Sequence, residues 1–225
     1  MTKHAGQWLF EEGYAYRYGL DFKKHDQKRG RLMIEASVFS GFPTAVAFCH
    51  YQGWMLQSFI DTDEEFVGIQ PKYAHDMFEE IEDETNGYHW AQNLLGDCYR
   101  YGLGATQDHT KAFEWFTKSS EQGNSDAMRS LGGCYENGHG CVQNDTKAME
   151  LYEKSAKLGY SAAMYNIGVC YEYDSQRGAT KDLNKFNQAR EWYTKAIAQG
   201  HENSIDSSDL FVEQLNNNSV SSING

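Results

Sequence analysis

The chain has 225 residues, 40% hydrophobic and 23% charged, a balance that excludes wholesale disorder, a coiled-coil rod and a collagen-like chain. Its net charge of −12, from 32 acids against 20 bases, repels phosphate backbones and argues against nucleic acid as a partner. The longest apolar run, Ala45 to Cys49, is far short of the ~20 residues that span a bilayer, and no secretory apolar region follows Met1. The chain is therefore expected to be cytoplasmic, without membrane insertion.

In chain order, Phe10 to Gly19 opens with the helical spacing Gly13, Tyr16, Gly19, and Met33, Ile34 and Ser37 before Gly41 read as a worn partner helix. Between them lie Lys23, Lys24, Lys28, Arg29 and Arg31, either a solvated loop and helix start or an import-like basic run. Thr44 to Gly53 reads as a further helix, and Ala74, Met77 and Phe78 before Gly87 as its partner. Residues 44–89 hold ten acids and one base. This stretch is a solvated face, a docking patch for a basic segment, or a counter-charge to the basic unit before it. A calcium loop starting at Asp61 is rejected, because Phe66 and Lys72 stand where glycine and glutamate are needed.

A clear repeat follows, in windows that start 36 residues apart at Trp90, Asp126 and Ala162. Recurring in phase are Ala91, Ala127 and Ala163; Leu95, Leu131 and Ile167; Gly96, Gly132 and Gly168; Cys98, Cys134 and Cys170; Tyr99, Tyr135 and Tyr171. Their spacing places them on one face of a helix, helix A. Gly102 with Gly104, and Gly138 with Gly140, supply the positive-φ turn that ends it. Helix B then carries Ala112, Trp115, Phe116 and Ser119, matched by Ala148, Leu151, Tyr152 and Ser155 and by Ala189, Trp192, Tyr193 and Ala196, and closes on Gly123, Gly159 and Gly200. The third window has five extra residues, expected in the loop from A to B: two before Gly178 and three between Asp182 and Ala189. The expected units are degenerate helix-pair repeats over 1–89, full repeats over 90–125, 126–161 and 162–202, and a short capping helix followed by a disordered tail over 203–225.

These residues resemble the Sel1-like repeat, a relative of the tetratricopeptide repeat, well over 90–200 and poorly over 9–89. The resemblance implies an all-α, right-handed α-solenoid of stacked antiparallel helix pairs, whose members commonly serve as adaptors that assemble protein complexes. Some bacterial relatives bridge helices A and B with a disulfide in each repeat. Here helix B has no cysteine, so Cys98, Cys134 and Cys170 read as small buried hydrophobes and reduced thiols. His139 with Cys141 falls short of a metal site. The eight histidines are scattered, and no nucleophile and base or carboxylate pair assembles, so neither a cofactor nor catalysis is expected.

In tetratricopeptide-like arrays helix A lines the concave wall. Anchored on the recurring Leu-Gly pair, its non-core stripe is Trp90, Asn93, Asp97, Arg100 and Tyr101; Asp126, Arg129, Gly133, Glu136 and Asn137; then Ala162, Tyr165, Val169, Glu172 and Tyr173. The stripe varies between repeats and carries aromatics and arginine, the usual interface anchors; packing of Trp90 or Tyr173 on a neighbouring repeat is the alternative. The expected function is a non-catalytic adaptor that captures a protein or peptide segment, Arg100 and Arg129 engaging a carboxylate and the aromatics an apolar side chain. A hydrolase of the kind ascribed to some Sel1-like relatives and a self-associating structural subunit are the competing readings.

Overall fold

The computed structural model describes residues 3–18, 30, 31, 33, 34, 37, 89–177 and 182–201. Among them are seven helices and no strand: α1 Lys3–Tyr18, α2 His89–Tyr101, α3 His109–Glu121, α4 Ser125–Asn137, α5 Asp145–Lys157, α6 Ser161–Gln176 and α7 Leu183–Ala198. The repeat becomes three hairpins, α2–α3, α4–α5 and α6–α7, and each helix from α2 onward packs mainly on its chain neighbours. This is an all-α solenoid. Readings that fall on Lys23 to Arg29, on 44–88 or on 202–225 lie outside the described residues, as does Cys49.

Local chemistry sets the helix ends. Asp108 accepts from the backbone N–H groups of Thr110 and Lys111, Asn144 from that of Lys147, and Asp182 from those of Asn184 and Lys185. One short acidic or amide side chain per loop thus satisfies the orphan donors of helix B, worth ~1 kcal/mol each. Helix α4 ends on Gly138 at φ 69°, whose N–H returns to the Cys134 carbonyl. Gly140 is required for a second reason: a Cβ there would run into the His109 carbonyl of the preceding repeat.

The recurring glycine of helix A seats the aromatic ring of helix B. A Cβ at Gly96 would lie 2.5 Å from the Phe116 ring, at Gly132 2.6 Å from that of Tyr152, and at Gly168 2.5 Å from that of Tyr193. All three rings are fully buried. Each contributes about 1.5–3 kcal/mol through the apolar area it removes from water. One turn further along helix B, the Ser119 hydroxyl donates to the His89 carbonyl and the Ser155 hydroxyl to that of Ser125, both at 2.6 Å, so the recurring serine ties helix B to the first turn of helix A.

The first unit follows the same plan in worn form. Gly13 faces Gly30 and Ile34, where a Cβ would meet the Gly30 carbonyl at 2.8 Å. Ile34 and Ser37 are fully buried, as the worn helix B requires. A backbone contact here replaces the aromatic ring used in the later repeats.

Two expectations are corrected. The five extra residues of the third repeat do not enlarge its loop: α6 and α7 have 16 residues each, against 13 in α2, α3, α4 and α5. Measured from Ile167 and Ala189, α6 gains a turn at its end and α7 gains one at its start, so the hairpin is longer. Extra helix satisfies its own backbone hydrogen bonds, and it buries Phe186 while Lys185 pairs with Asp174 at 2.9 Å. The second correction concerns cysteine. Cys98 and Cys134 are buried, but Cys170 is only partly so, and its thiol lies 3.6 Å from Glu136 Oε1, to which it donates. Cys98, Cys134, Cys141 and Cys170 are all free thiols.

Candidate functional site

Helix A does not present its stripe uniformly to solvent. Trp90 is 7% exposed and packs on α1, with its ring 4.4 Å from Tyr14 and 6.3 Å from Phe10. Asn93 is fully buried and Asp126 nearly so. These three stood on the expected non-core stripe and belong instead to the core. A solenoid helix contacts its own partner and the units on either side, so less of its circumference is free than one amphipathic face implies.

Asp126 organises this interior. Its Oδ2 accepts from the Tyr14 hydroxyl at 2.8 Å and from Asn93 Nδ2 at 3.1 Å, and its Oδ1 accepts from the Tyr160 hydroxyl at 2.7 Å. One carboxylate thereby joins α1, α2, α4 and the residue preceding α6. Asp97, one turn along α2 from Asn93, is half-buried. Burial pushes its carboxyl up to about 7, against the opposing pull of Arg100 and Arg129.

The position five residues after the Leu anchor holds Arg100, Glu136 and Glu172, and its identity follows the ring below it. The Arg100 guanidinium sits 4.3 Å from the centroid of the Phe116 ring, a cation over an apolar face. Where helix B supplies tyrosine, a carboxylate replaces the cation: the Tyr152 hydroxyl donates to Glu136 at 2.9 Å and that of Tyr193 to Glu172 at 2.6 Å. These three residues, expected to contact a partner, close their own repeats. Arg100 is held further by donating from Nη2 to the Ser130 carbonyl at 3.0 Å.

The remaining stripe residues divide. Tyr165 is half-buried, its ring 5.6 Å from Tyr193 and stacked on His201 at 4.9 Å. Tyr101 and Tyr173, equivalent positions in the first and third full repeats, are 59% and 65% exposed. Asn137, their counterpart in the second, is exposed and donates to the Gly133 carbonyl.

Between α2, α4 and α6 lies a cavity of about 430 Å³. It brings together six residues of the expected stripe, Arg100, Tyr101, Arg129, Gly133, Glu136 and Asn137, and leaves Trp90, Asn93, Asp97, Asp126, Ala162, Tyr165, Val169, Glu172 and Tyr173 outside its lining. It also recruits His109 and Asn166, which the sequence did not single out, with His139, weighed there only as a metal ligand, and Tyr152, read there as a core ring of helix B. The two imidazoles stack at 4.4 Å with their planes 10° apart. His139 belongs to the expected glycine turn and His109 follows the acidic loop residue; only stacking of successive loops makes them neighbours, a relation no single repeat displays. Two buried polar atoms of the lining have no hydrogen-bond partner, Arg129 Nε and His109 Nδ1. The guanidinium of Arg129 remains protonated despite burial, favoured by Tyr160 and Asp126.

No group of three or more His, Cys, Asp or Glu able to hold a metal occurs among the described residues, and none of their helices is long and apolar enough to cross a membrane. The cavity offers donors and charges fixed by the surrounding helices.

The raised carboxyl of Asp97 has a measurable consequence. Its folded-state value of about 7 exceeds the ordinary 3.8, so the folded chain holds this proton more tightly than the unfolded one. The contribution of this carboxyl to stability is full below that ordinary value and declines as pH rises to about 7, then levels off. Asp97→Asn removes this decline. It is expected to be more stable than the parent at pH 8 by about 1–3 kcal/mol and equal to it near pH 4, as urea unfolding will measure. Parallel pH profiles for the two proteins would refute the assignment.

The Sel1 repeat family model matches residues 9–33, 91–124, 125–160 and 161–201. Among solved structures, a protective antigen present in uropathogenic Escherichia coli strains and displaying an SLR fold is 26% identical, with a TM-score of 0.60 over 93% of this chain. A Sel1 repeat protein from Oxalobacter formigenes is 28% identical, with a TM-score of 0.53 over 64% of the chain. The chain spans 42% and 57% of the lengths of those two proteins. No curated protein matches it. The family model covers more than half of the sequence, and its matches at 91–124, 125–160 and 161–201 coincide with the three hairpins: the chain belongs to the Sel1 repeat family.

Proposed function

We propose that this protein is a non-catalytic scaffold that captures a segment of a partner protein along its helix-A wall. Sel1 repeats generally serve as protein-interaction scaffolds. The observation that carries the reading for this chain is the cavity between α2, α4 and α6, with exposed Tyr101 and Asn137 in its lining. A polar recess beside a rigid exposed aromatic suits a segment that places a polar side chain inward and an apolar one against the ring.

The test uses the double variant Tyr101→Ser and Tyr173→Ser. Both side chains are exposed, so stability should change by no more than about 0.5 kcal/mol for each. Partners recovered on the immobilised 225-residue chain should lose about tenfold or more in affinity for the variant, the scale of one interface anchor at ~1.4 kcal/mol. Equal affinity for the two folded proteins would remove the helix-A wall as the binding surface. A concentration-dependent increase in mass with no partner would favour self-association instead.

A further inference from the structure

We infer that the cavity between α2, α4 and α6 is a receptor for a single carboxylate, carried by a partner segment as an acidic side chain or a free C-terminus, with Arg129 as its anchor. This rests on the scaffold reading above and names the chemistry that the partner must bring.

The assignment follows from which lining groups are already in use. Arg100 donates to the Ser130 carbonyl and lies over the Phe116 ring, so it is fixed as part of its repeat. The Glu136 carboxylate accepts from the Tyr152 hydroxyl on one oxygen and from the Cys170 thiol on the other. Asn137 donates to Gly133. Arg129 and His109 differ, because each lines the cavity with a buried guanidinium or ring nitrogen, Nε and Nδ1, that has no partner, and of the two the guanidinium carries the permanent positive charge that selects an anion. A buried guanidinium N–H without an acceptor is costly, and a carboxylate oxygen is the acceptor that best matches it in charge and plane.

The charges around it favour a ligand with one negative charge. Glu136 lines the same cavity and Asp126 interacts electrostatically with Arg129 from the interior, and together they offset the cations Arg129 and Arg100, so a phosphate dianion meets more repulsion than a monoanion. The chain as a whole carries −12, which repels strongly acidic segments and draws in basic ones. The fitting partner is therefore a neutral or basic segment bearing one carboxylate, not an acidic tract.

The Arg129 Nε–H resonance of the full-length protein, assigned by its loss in Arg129→Lys, reports on this contact directly. Three probes separate the sources: acetyl-Gly-Glu-Leu-amide for a side-chain carboxylate, acetyl-Gly-Leu-Leu with a free terminus, and acetyl-Gly-Gln-Leu-amide as the neutral control. The expected result is a saturating shift of this resonance at millimolar concentrations of one or both carboxylate probes and none with the glutamine probe; the probe that acts names the source. No shift with either carboxylate probe, or an equal shift with the control, overturns the inference, and because it is read on the parent protein no misfolded variant can imitate it. If partner capture depends on Tyr101 and Tyr173 while Arg129 ignores both carboxylates, the scaffold reading stands and the receptor falls. Should the probes shift Arg129 while those tyrosines prove dispensable for capture, the receptor stands and the helix-A reading falls.

Discussion

Asp126→Ala is expected to cost about 3–5 kcal/mol, the largest loss from any single polar substitution in the described part of the chain. The substitution removes the acceptor of three buried hydrogen bonds, from Tyr14, Asn93 and Tyr160, and leaves these donors without water to replace it. It also takes a negative charge from beside the buried Arg129. In a solenoid, stability is approximately a sum of unit and neighbour-interface contributions, so the damage should be local. Amide exchange should accelerate in α1 and α2, whose side chains lose their common acceptor, and remain near parent values in α7. Asp126→Asn keeps an acceptor oxygen while losing the charge, and should fall between the two. Urea unfolding with residue-resolved exchange checks all three proteins. An alanine variant within about 1 kcal/mol of the parent would show that the carboxylate is not an essential junction.

Gly132→Ala should destabilise by about 2–3 kcal/mol, although alanine is the better helix former by ~1 kcal/mol. Its Cβ would lie 2.6 Å from the ring of Tyr152, which is fully buried and tied by its hydroxyl to Glu136, so neither the ring nor α5 can yield cheaply. The neighbouring Gly133→Ala provides the contrast. There the only nearby atom is the Tyr152 hydroxyl oxygen at 3.7 Å, an ordinary contact, and the gain in helix propensity should leave the protein unchanged or stabilised by up to ~1 kcal/mol. For a chain of this size each kcal/mol moves Tm by ~2–4 °C, so adjacent glycines in one helix should differ by about 4–16 °C in thermal unfolding. Equal melting temperatures would mean that the glycine serves no packing purpose.

Much of the architecture was legible because its determinants are local and occur three times. Gly96, Gly132 and Gly168 recur in phase, as do Phe116, Tyr152 and Tyr193, and a position that repeats against a variable background marks a contact every unit must make. Loop glycines were readable for the same reason: Gly138 at positive φ performs one conformational task that few residue types can. The site was less legible. A stripe opposite the Leu anchor includes every residue that is not part of one hairpin's core, yet Trp90, Asn93 and Asp126 are buried by the neighbouring unit. Arg100, Glu136 and Glu172 look like freely varying surface residues until the ring beneath each is known.

The sequence alone determined that this protein is a helical repeat array, where its helices turn, and which glycines and rings form its core, since those properties depend on spacing within about forty residues. The tertiary structure decided which polar residues are junctions and which are exposed. It made Asp126 a buried acceptor, placed His109 against His139, left the Nε of the cavity-lining Arg129 buried and unpartnered, and turned an expected loop insertion into an extra turn on two helices. Each of these depends on stacking one unit on the next, and stacking fixes burial and hydrogen-bond partners through distances that no periodicity within a single repeat contains.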